Sequence, residues 1–136
     1  MSIVGPSNIP SRYKLILPTG EARYVRCGAD LVLTGLNMDV EADAHCPVCE
    51  TQISFRIHRT RLEGLTIPTA LLYVVERPIS SGRISVECET TNLFDKKECL
   101  DKWTSNYHGR QGSVYTIQEY LQHRLAKKDK VIPYNS

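Results

Sequence analysis

The sequence predicts an α+β fold in which a mostly antiparallel sheet is covered by two or three helices. Short β-prone segments separated by turn residues come first, and two segments with helical spacing of apolar residues follow them. The chain has 136 residues, of which 41% are hydrophobic, and this combination is typical of one globular domain. We therefore expect one domain over residues 12–130, preceded by a flexible arm at residues 1–11 and followed by a flexible tail at residues 131–136.

The first two predicted strands form a hairpin. Residues 13–17 and 22–26 are rich in β-prone side chains, and Pro18-Thr-Gly-Glu21 between them supplies turn residues. Residues 31–38 carry apolar side chains on more than one face, which favours a short buried helix or a turn. Four further strands are predicted where short segments are bounded by glycine, proline or polar residues, at residues 39–44, 52–57, 70–76 and 83–88.

Two capping boxes predict the beginnings of two helices. In Asp95-Lys-Lys-Glu98 and Thr116-Ile-Gln-Glu119, the first side chain can accept a hydrogen bond from the third following amide, while the carboxylate of the fourth residue reaches back. Apolar residues at helical spacing follow each box, so each helix has a face that can cover the sheet. These faces consist of Cys99, Leu100 and Trp103 in the first helix and of Ile117, Tyr120, Leu121 and Leu125 in the second.

Charge and hydropathy exclude several classes of partner. Seventeen basic against fifteen acidic residues leave a net charge of +2, and the basic residues are scattered apart from a short run that begins at Lys127. A nucleic-acid-binding protein normally has a basic stripe, so we expect no nucleic-acid partner. No apolar run is long enough to span a bilayer, and the N-terminus lacks the pattern of a secretory signal. These features predict a soluble protein of the cytoplasm that does not act in a membrane.

The five cysteines are the main candidates for chemistry. Their odd number and the lack of a secretory signal argue against a disulfide framework, so the thiols serve packing, metal binding or catalysis. Cys46-Pro-Val-Cys49 supplies half of a tetrahedral zinc site, which Cys27, Cys88 or a histidine would have to complete. A redox role is disfavoured because a strand, not a helix, follows the pair. We interpret Cys99, on an apolar helix face, as a core residue.

Cys27-Gly-Ala-Asp30 is a second candidate. It directly follows a predicted strand and places a thiol and a carboxylate about one helical turn apart, so the two side chains can share a proton. The competing interpretation is purely structural. In that case Asp30 would point to solvent as a helix cap and would never meet Cys88.

Several short segments in a fixed order resemble the organomercurial (alkylmercury) lyase family. The resemblance extends from about Arg12 to Leu125 and matches the catalytic region of the family, without its N-terminal helical domain. It implies an alkylmercury-lyase-like fold for the domain. The matching segments are Tyr24-Val-Arg-Cys-Gly-Ala-Asp30, His45-Cys-Pro47, Val86-Glu-Cys88, Asn92-Leu-Phe94, Lys102-Trp103 and His108-Gly109.

The resemblance implies which residues carry the reaction. Cys27, Asp30 and Cys88 match the catalytic cysteine, aspartate and second cysteine of the family, and Cys46 matches its additional structural cysteine. Hg(II) is soft and favours thiolates, so Cys27 and Cys88, with help from Asp30, are the expected mercury ligands. Asp30 would take a thiol proton and deliver it to the departing carbon, releasing a hydrocarbon and Hg(II).

Cofactors and partners follow from the same resemblance. The reaction requires no cofactor, and Hg(II) remains as the bound product until small thiols or a mercuric reductase remove it. A second protomer could cover the site in place of the helical domain, so a homodimer is expected. The alternative function is a non-catalytic thiol protein that binds zinc, copper or mercury through Cys46 and Cys49 with Cys27 or Cys88. A structural zinc ion at Cys46 and Cys49 would also be compatible with the lyase.

Overall fold

A computed structural model describes residues 11–78, 84–86, 90–106 and 112–127 of the chain. Nearly all of the predicted arm and the whole predicted tail lie outside the described residues, as do Cys88 and His108-Gly109. The helices and strands of the described residues are, in chain order, β1 (Tyr13–Ile16), β2 (Ala22–Val25), α1 (Gly28–Gly35), β3 (Val40–His45), β4 (Gln52–His58), β5 (Arg61–Glu63), β6 (Leu71–Val74), β7 (Glu76–Pro78), β8 (Ile84–Val86), β9 (Asn92–Phe94), α2 (Lys97–Ser105), β10 (Ser113–Tyr115) and α3 (Ile117–Lys127).

The first half of the chain builds a five-stranded antiparallel sheet with the order β2-β1-β3-β4-β5. The predicted hairpin is confirmed: Tyr13 pairs with Val25, and the N–H of Leu17 donates to the carbonyl oxygen of Glu21 at 2.9 Å. Burial alternates along β3 and β4. The sheet therefore has one apolar face, which is the face that α1 covers.

The remaining strands form two smaller antiparallel groups, β10-β6-β9 and the ribbon β7-β8. The strand predicted at residues 70–76 is interrupted at Val75, whose N–H donates to the Thr91 hydroxyl at 3.0 Å and not to a neighbouring strand. The predicted strand is therefore divided into β6 and β7, which belong to different sheets. The sequence also does not predict β5 and β9, because three residues are too few to establish an alternating pattern.

All three helices confirm predicted segments, and their beginnings refine the predictions. Helix α1 begins at Gly28, three residues earlier than expected. The capping box before α3 is confirmed in both directions: Thr116 N–H donates to Glu119 Oε1 at 2.8 Å, and Glu119 N–H donates to Thr116 Oγ1 at 3.0 Å. The prediction of a capping box at Asp95 is wrong, because Lys96 is the residue before the first turn of α2 and no side chain caps that helix.

Close backbone approach fixes α1 between the two larger sheets. A Cβ atom at Gly28 would lie 2.8 Å from Leu72 Cδ1 and 3.1 Å from Leu93 Cβ, so this position has no space for a side chain. At the other end of the helix, a Cβ atom at Gly35 would lie 2.5 Å from Ile57 Cδ1. Glycine at both ends thus lets α1 pack directly against β4 on one side and β6 and β9 on the other.

The predicted faces of α2 and α3 complete the core. Cys99 and Leu100 are buried on α2, and the ring of Trp103 lies 5.8 Å from both the Tyr73 and the Phe94 ring, centroid to centroid. On α3, Ile117, Tyr120 and Leu121 are almost completely buried. The α+β fold class is therefore confirmed. None of the described helices has the length and apolar character needed to cross a bilayer.

Candidate active site and thiol cluster

The motif Cys27-x-x-Asp30 lies at the point where β2 ends and α1 begins. Cys27 has extended backbone angles (φ −152°, ψ 170°), and its carbonyl oxygen accepts a hydrogen bond from the Asp30 N–H at 3.1 Å. Both side chains are buried: Cys27 is 0% exposed and Asp30 is 2% exposed. The interpretation of Asp30 as a solvent-facing cap is therefore wrong. A thiol and a carboxylate lie in the first turn of one helix, inside the protein.

Cys88, the third predicted catalytic residue, lies outside the described residues, so its convergence with Cys27 and Asp30 stays a prediction. The described chain next to it is tied to the core. Val86 and Thr91 are both buried, and Leu93, five residues after Cys88, contacts the beginning of α1 at Gly28. The strand that follows Cys88 therefore packs against the helix that begins after Cys27.

Tyr13 connects this region to the first sheet. Its hydroxyl donates to Asn92 Oδ1 at 2.8 Å and accepts from the Leu93 N–H at 3.2 Å, which joins β1 to β9. Burial raises the pKa of Tyr13 well above its usual value, and negative charge on Cys27 or Cys46 raises it further, against the effect of the Leu93 N–H. The phenol is therefore neutral at physiological pH. Its hydrogen bonds link β1 to β9 close to the thiols of Cys27 and Cys46.

Four other side chains lie close together, and we call this group of Cys46, Cys49, Asp95 and Cys99 the thiol cluster. Their sulfur atoms and a carboxylate oxygen all lie within 4.8 Å of one another. Two members come from the turn after β3 and two from the beginning of α2. Cys46, Asp95 and Cys99 are buried, whereas Cys49 is exposed. The cluster therefore sits just below the surface, with one thiol open to solvent.

The turn after β3 holds its two cysteines on the same side. The Cys46 N–H donates to the Thr51 carbonyl oxygen at 3.0 Å, and the Glu50 N–H donates back to the Cys46 carbonyl oxygen at 2.9 Å. Glu50 takes a left-handed backbone conformation (φ 64°), which closes the turn. The Cys49 sulfur lies 3.1 Å from the Thr51 hydroxyl oxygen. These contacts set the position of Cys49 before any ligand is bound.

Arg12, the residue before β1, holds the same turn in place. Its guanidinium Nη1 lies 3.1 Å from a Glu50 carboxylate oxygen and 3.4 Å from the Cys46 carbonyl oxygen, and it donates to both. The ion pair is partly exposed, so its effect on stability is small. Its geometric effect is to hold the beginning and the end of the turn together.

Asp95 takes part in the cluster and not in a helix cap. Its side chain is 7% exposed, and its Oδ1 atom is buried without a hydrogen-bond partner among the described residues. Its carbonyl oxygen accepts a hydrogen bond from the Thr69 hydroxyl at 2.7 Å, which fixes the backbone there. The carboxylate thus faces the thiols and not the amides of α2, which is why the predicted capping box does not form.

The environment of the thiol cluster lowers the pKa of some of its members and raises the pKa of others. Burial alone would raise the pKa of Asp95, but interactions with the thiols of Cys99, Cys49 and Cys46 outweigh it and lower that pKa. Hydrogen bonding to Thr51 lowers the pKa of Cys49. Burial, followed by the neighbouring Asp95, raises the pKa of Cys99 to about 12. Without a cation, then, the carboxylate is ionised and the Cys99 thiol stays protonated.

The expectation that Cys27 or a histidine completes the Cys46 and Cys49 pair is corrected by this arrangement, while the alternative of Cys88 lies outside the described residues. Within the described residues, neither Cys27 nor a histidine joins the pair; Asp95 and Cys99 do. Cys99 is buried on the apolar face as predicted, and it is also the third thiol of the cluster. One signal in the sequence could have found it, because Asp95 and Cys99 are four residues apart at the beginning of a predicted helix and therefore share a face.

The comparisons with known proteins agree with the fold. Residues 7–128 match the family model described as MerB, alkylmercury lyase. A solved structure described as the mercury-bound form of MerB2 has a TM-score of 0.73 and 22% identity over 92% of this chain and 61% of that chain. The protein thus spans about three-fifths of that neighbour, and at this identity the likeness concerns the fold. No curated protein sequence matches the chain.

The family match covers nearly the whole chain and includes the described parts of both the Cys27 motif and the thiol cluster. The resemblance predicted from the sequence is therefore confirmed, and this protein belongs to the alkylmercury lyase family.

Proposed function

We propose that the protein cleaves carbon–mercury bonds by protonolysis and releases a hydrocarbon and Hg(II). The observation that carries the proposal is the burial of both Cys27, directly before α1, and Asp30, in the first turn of α1, in a chain of the alkylmercury lyase family. A thiol that captures mercury and a carboxylate that moves protons are the two functions the reaction needs.

The proposed reaction balances without a redox partner. The Cys27 thiol attacks the metal of R–Hg–X, X⁻ leaves, and the thiol proton passes to Asp30. Cys88 forms the second sulfur–mercury bond as its thiol gives up a proton, which leaves with X⁻ as HX. Asp30 then donates its proton to carbon as the carbon–mercury bond breaks, which yields R–H and Hg(II) held by two thiolates. The soft metal explains why both ligands are sulfur.

The role of Cys88 is supported by the packing of the chain that follows it. Leu93 on β9 lies against Gly28, the residue after Cys27, and the Tyr13 hydroxyl bonds both Asn92 and Leu93. The packing of β9 against the beginning of α1 supports a position of Cys88 near Cys27. This proposal requires the Cys88 sulfur to come within bonding distance of a mercury atom on Cys27.

Removal of the product is part of the proposal. Two thiolates hold Hg(II) tightly, so exchange with small thiols of a reducing compartment such as the cytoplasm, or transfer to a mercuric reductase, would be needed for turnover. We also propose that a second copy of the chain covers the site. Neither the cleavage nor the removal of Hg(II) requires a cofactor in this proposal.

The experiment that tests the proposal measures benzene released from phenylmercuric acetate by the purified protein in excess thiol. We expect thiol-dependent benzene from the wild type and none above background from Cys27→Ser or Cys88→Ser, since oxygen is a poor Hg(II) ligand. Asp30→Asn should bind mercury but release no benzene. Asp43→Asn, on the five-stranded sheet, is the matched control and should release benzene normally. Thermal melts of each variant establish that it is folded.

A wild-type protein that yields no benzene under these conditions would overturn the proposal. The thiol cluster favours the second candidate in that case, a non-catalytic protein that binds metal through thiols, because it already assembles three sulfur atoms and a carboxylate. Undiminished benzene release by Asp30→Asn would leave the lyase intact but remove Asp30 from the proton path.

A further inference from the structure

The thiol cluster has the composition of a structural zinc site. Three sulfur atoms from Cys46, Cys49 and Cys99 and one carboxylate oxygen from Asp95 lie within 4.8 Å of one another. Zinc takes four such ligands in tetrahedral geometry, and sites in which the protein supplies all four are structural, because no position is left for a substrate. Copper(I) favours soft sulfur ligands alone, whereas zinc accepts a carboxylate beside thiolates.

The distances leave little rearrangement for the ion to bring about. Two sulfur ligands at about 2.3 Å from a tetrahedral zinc ion lie about 3.8 Å apart. The ligand atoms of the cluster lie within 4.8 Å of one another, so a contraction of roughly 1 Å for the widest pair would complete the site. Cys49 sits on an exposed turn and can move by this amount without disturbing the core.

The unpartnered carboxylate oxygen is an independent indication of a ligand. Buried polar atoms nearly always have a partner, and leaving one unpaired is unfavourable. Asp95 Oδ1 has none among the described residues, although the side chain is more than nine-tenths buried and faces three thiols. A cation bound by those thiols would lie next to this carboxylate group.

The backbone on both sides is already fixed in the required positions. The turn that carries Cys46 and Cys49 is closed by two backbone hydrogen bonds and fastened by Arg12, and the Thr69 hydroxyl fixes Asp95. Such preorganisation lowers the conformational cost of binding. The four ligands come from two distant parts of the chain, and a bound metal would link these parts.

We propose that Cys46, Cys49, Cys99 and Asp95 hold one zinc ion, which links the turn after β3 to the beginning of α2. This site goes beyond the proposed carbon–mercury cleavage, which uses Cys27 and Asp30 at the beginning of α1. With all four positions occupied by protein groups, the zinc ion stabilises the fold and takes no part in the reaction.

The experiment measures zinc directly, in the full chain. We expect purified wild-type protein to contain one zinc ion per chain by elemental analysis. Apoprotein prepared with a chelator should bind one Co²⁺ with the thiolate charge-transfer and tetrahedral visible bands of a sulfur-rich site. Cys49→Ser, a change on an exposed turn, should weaken zinc binding more than about 100-fold, beyond the loss seen when residues that only support a metal ligand are changed.

Two further variants keep the test decisive. Asp95→Cys should retain one zinc ion, because a fourth thiolate replaces the carboxylate, whereas Asp95→Ala should lose it. Cys27→Ser is the matched control for replacing a buried thiol and should still hold one zinc ion. A wild type without stoichiometric zinc or cobalt binding, or a Cys49→Ser protein that binds zinc as tightly as the wild type, would overturn the proposal. Metal content is independent of benzene release, so failure here and failure of the lyase are distinguishable.

Discussion

The beginning of α1 and the beginning of α2 carry the same two kinds of side chain but arrange them differently. At α1, Cys27 and Asp30 come from one segment and are both buried in the first turn. At α2, Asp95 and Cys99 meet two more thiols that a distant turn supplies. The first pair alone is too few to enclose a metal, whereas the second group offers four ligands, the number that a tetrahedral site requires.

This difference separates a site that reacts from a site that only binds. A metal at which a reaction occurs needs open coordination positions for the incoming and departing groups. Cys27 and Asp30, joined by Cys88, would leave such positions open. A closed set of four ligands stabilises the protein but excludes a substrate. Thiols and carboxylates at two helix beginnings therefore support different functions, and the number of converging ligands decides between them.

The largest expected effect comes from Cys27→Ser. We expect benzene release from phenylmercuric acetate to fall to background, because the variant offers oxygen where mercury requires sulfur. Elemental analysis should still find one zinc ion per chain in the same preparation. Loss of both properties together would mean that the two regions form one functional unit and do not act separately.

Removal of zinc should have the next largest effect, this time on stability. A ligand present at about 1,000 times its dissociation constant stabilises the folded state by about 4 kcal/mol. For a domain of this size we expect a chelator to lower the Tm of the wild type by roughly 14 °C. Calorimetry in the presence and absence of the chelator measures the shift. The same chelator should leave the Tm of Cys49→Ser almost unchanged; an equal shift in that variant would place the metal elsewhere.

Local sequence signals predicted the elements that depend on neighbouring residues. The hairpin of β1 and β2 is confirmed because its turn lies between its strands, and the capping box at Thr116 is confirmed because both partners lie within one turn. The interruption of the strand at Val75 could not be predicted in this way. It depends on a hydrogen bond to Thr91, sixteen residues later.

The same limit applies to the two sites. The motif Cys27-x-x-Asp30 is local, so its position directly after a strand could be predicted. The structure adds that α1 begins within the motif and that both residues are buried. The cluster is not local. Asp95 satisfies the pattern of a helix cap, but packing of the Cys46 turn against α2 turns it toward thiols. A sequence pattern that is compatible with two structural roles does not determine which role is adopted. The residues that tertiary packing brings next to it determine the role.

A smaller effect is expected from Gly28→Ala, which tests how the beginning of α1 is positioned. The added methyl group would meet Leu72 and Leu93, so we expect a destabilisation of about 1–3 kcal/mol and a displaced Cys27. Gly35→Ala is the matched control, because it meets Ile57 at the opposite end of the same helix. At a temperature where both variants are folded, only Gly28→Ala should release benzene more slowly. Equal rates would show that the position of Cys27 tolerates this shift.

The smallest expected effect concerns Arg12, which fastens the turn that carries Cys46 and Cys49. Its ion pair with Glu50 is partly exposed, so we expect Arg12→Ala to weaken zinc binding only about two- to fivefold. Competition with a chromophoric chelator measures the change. Arg23→Ala is the matched control, since Arg23 pairs with Glu21 on the hairpin, outside the cluster. If Arg12→Ala weakens zinc binding no more than Arg23→Ala does, the turn holds its shape through its backbone hydrogen bonds alone.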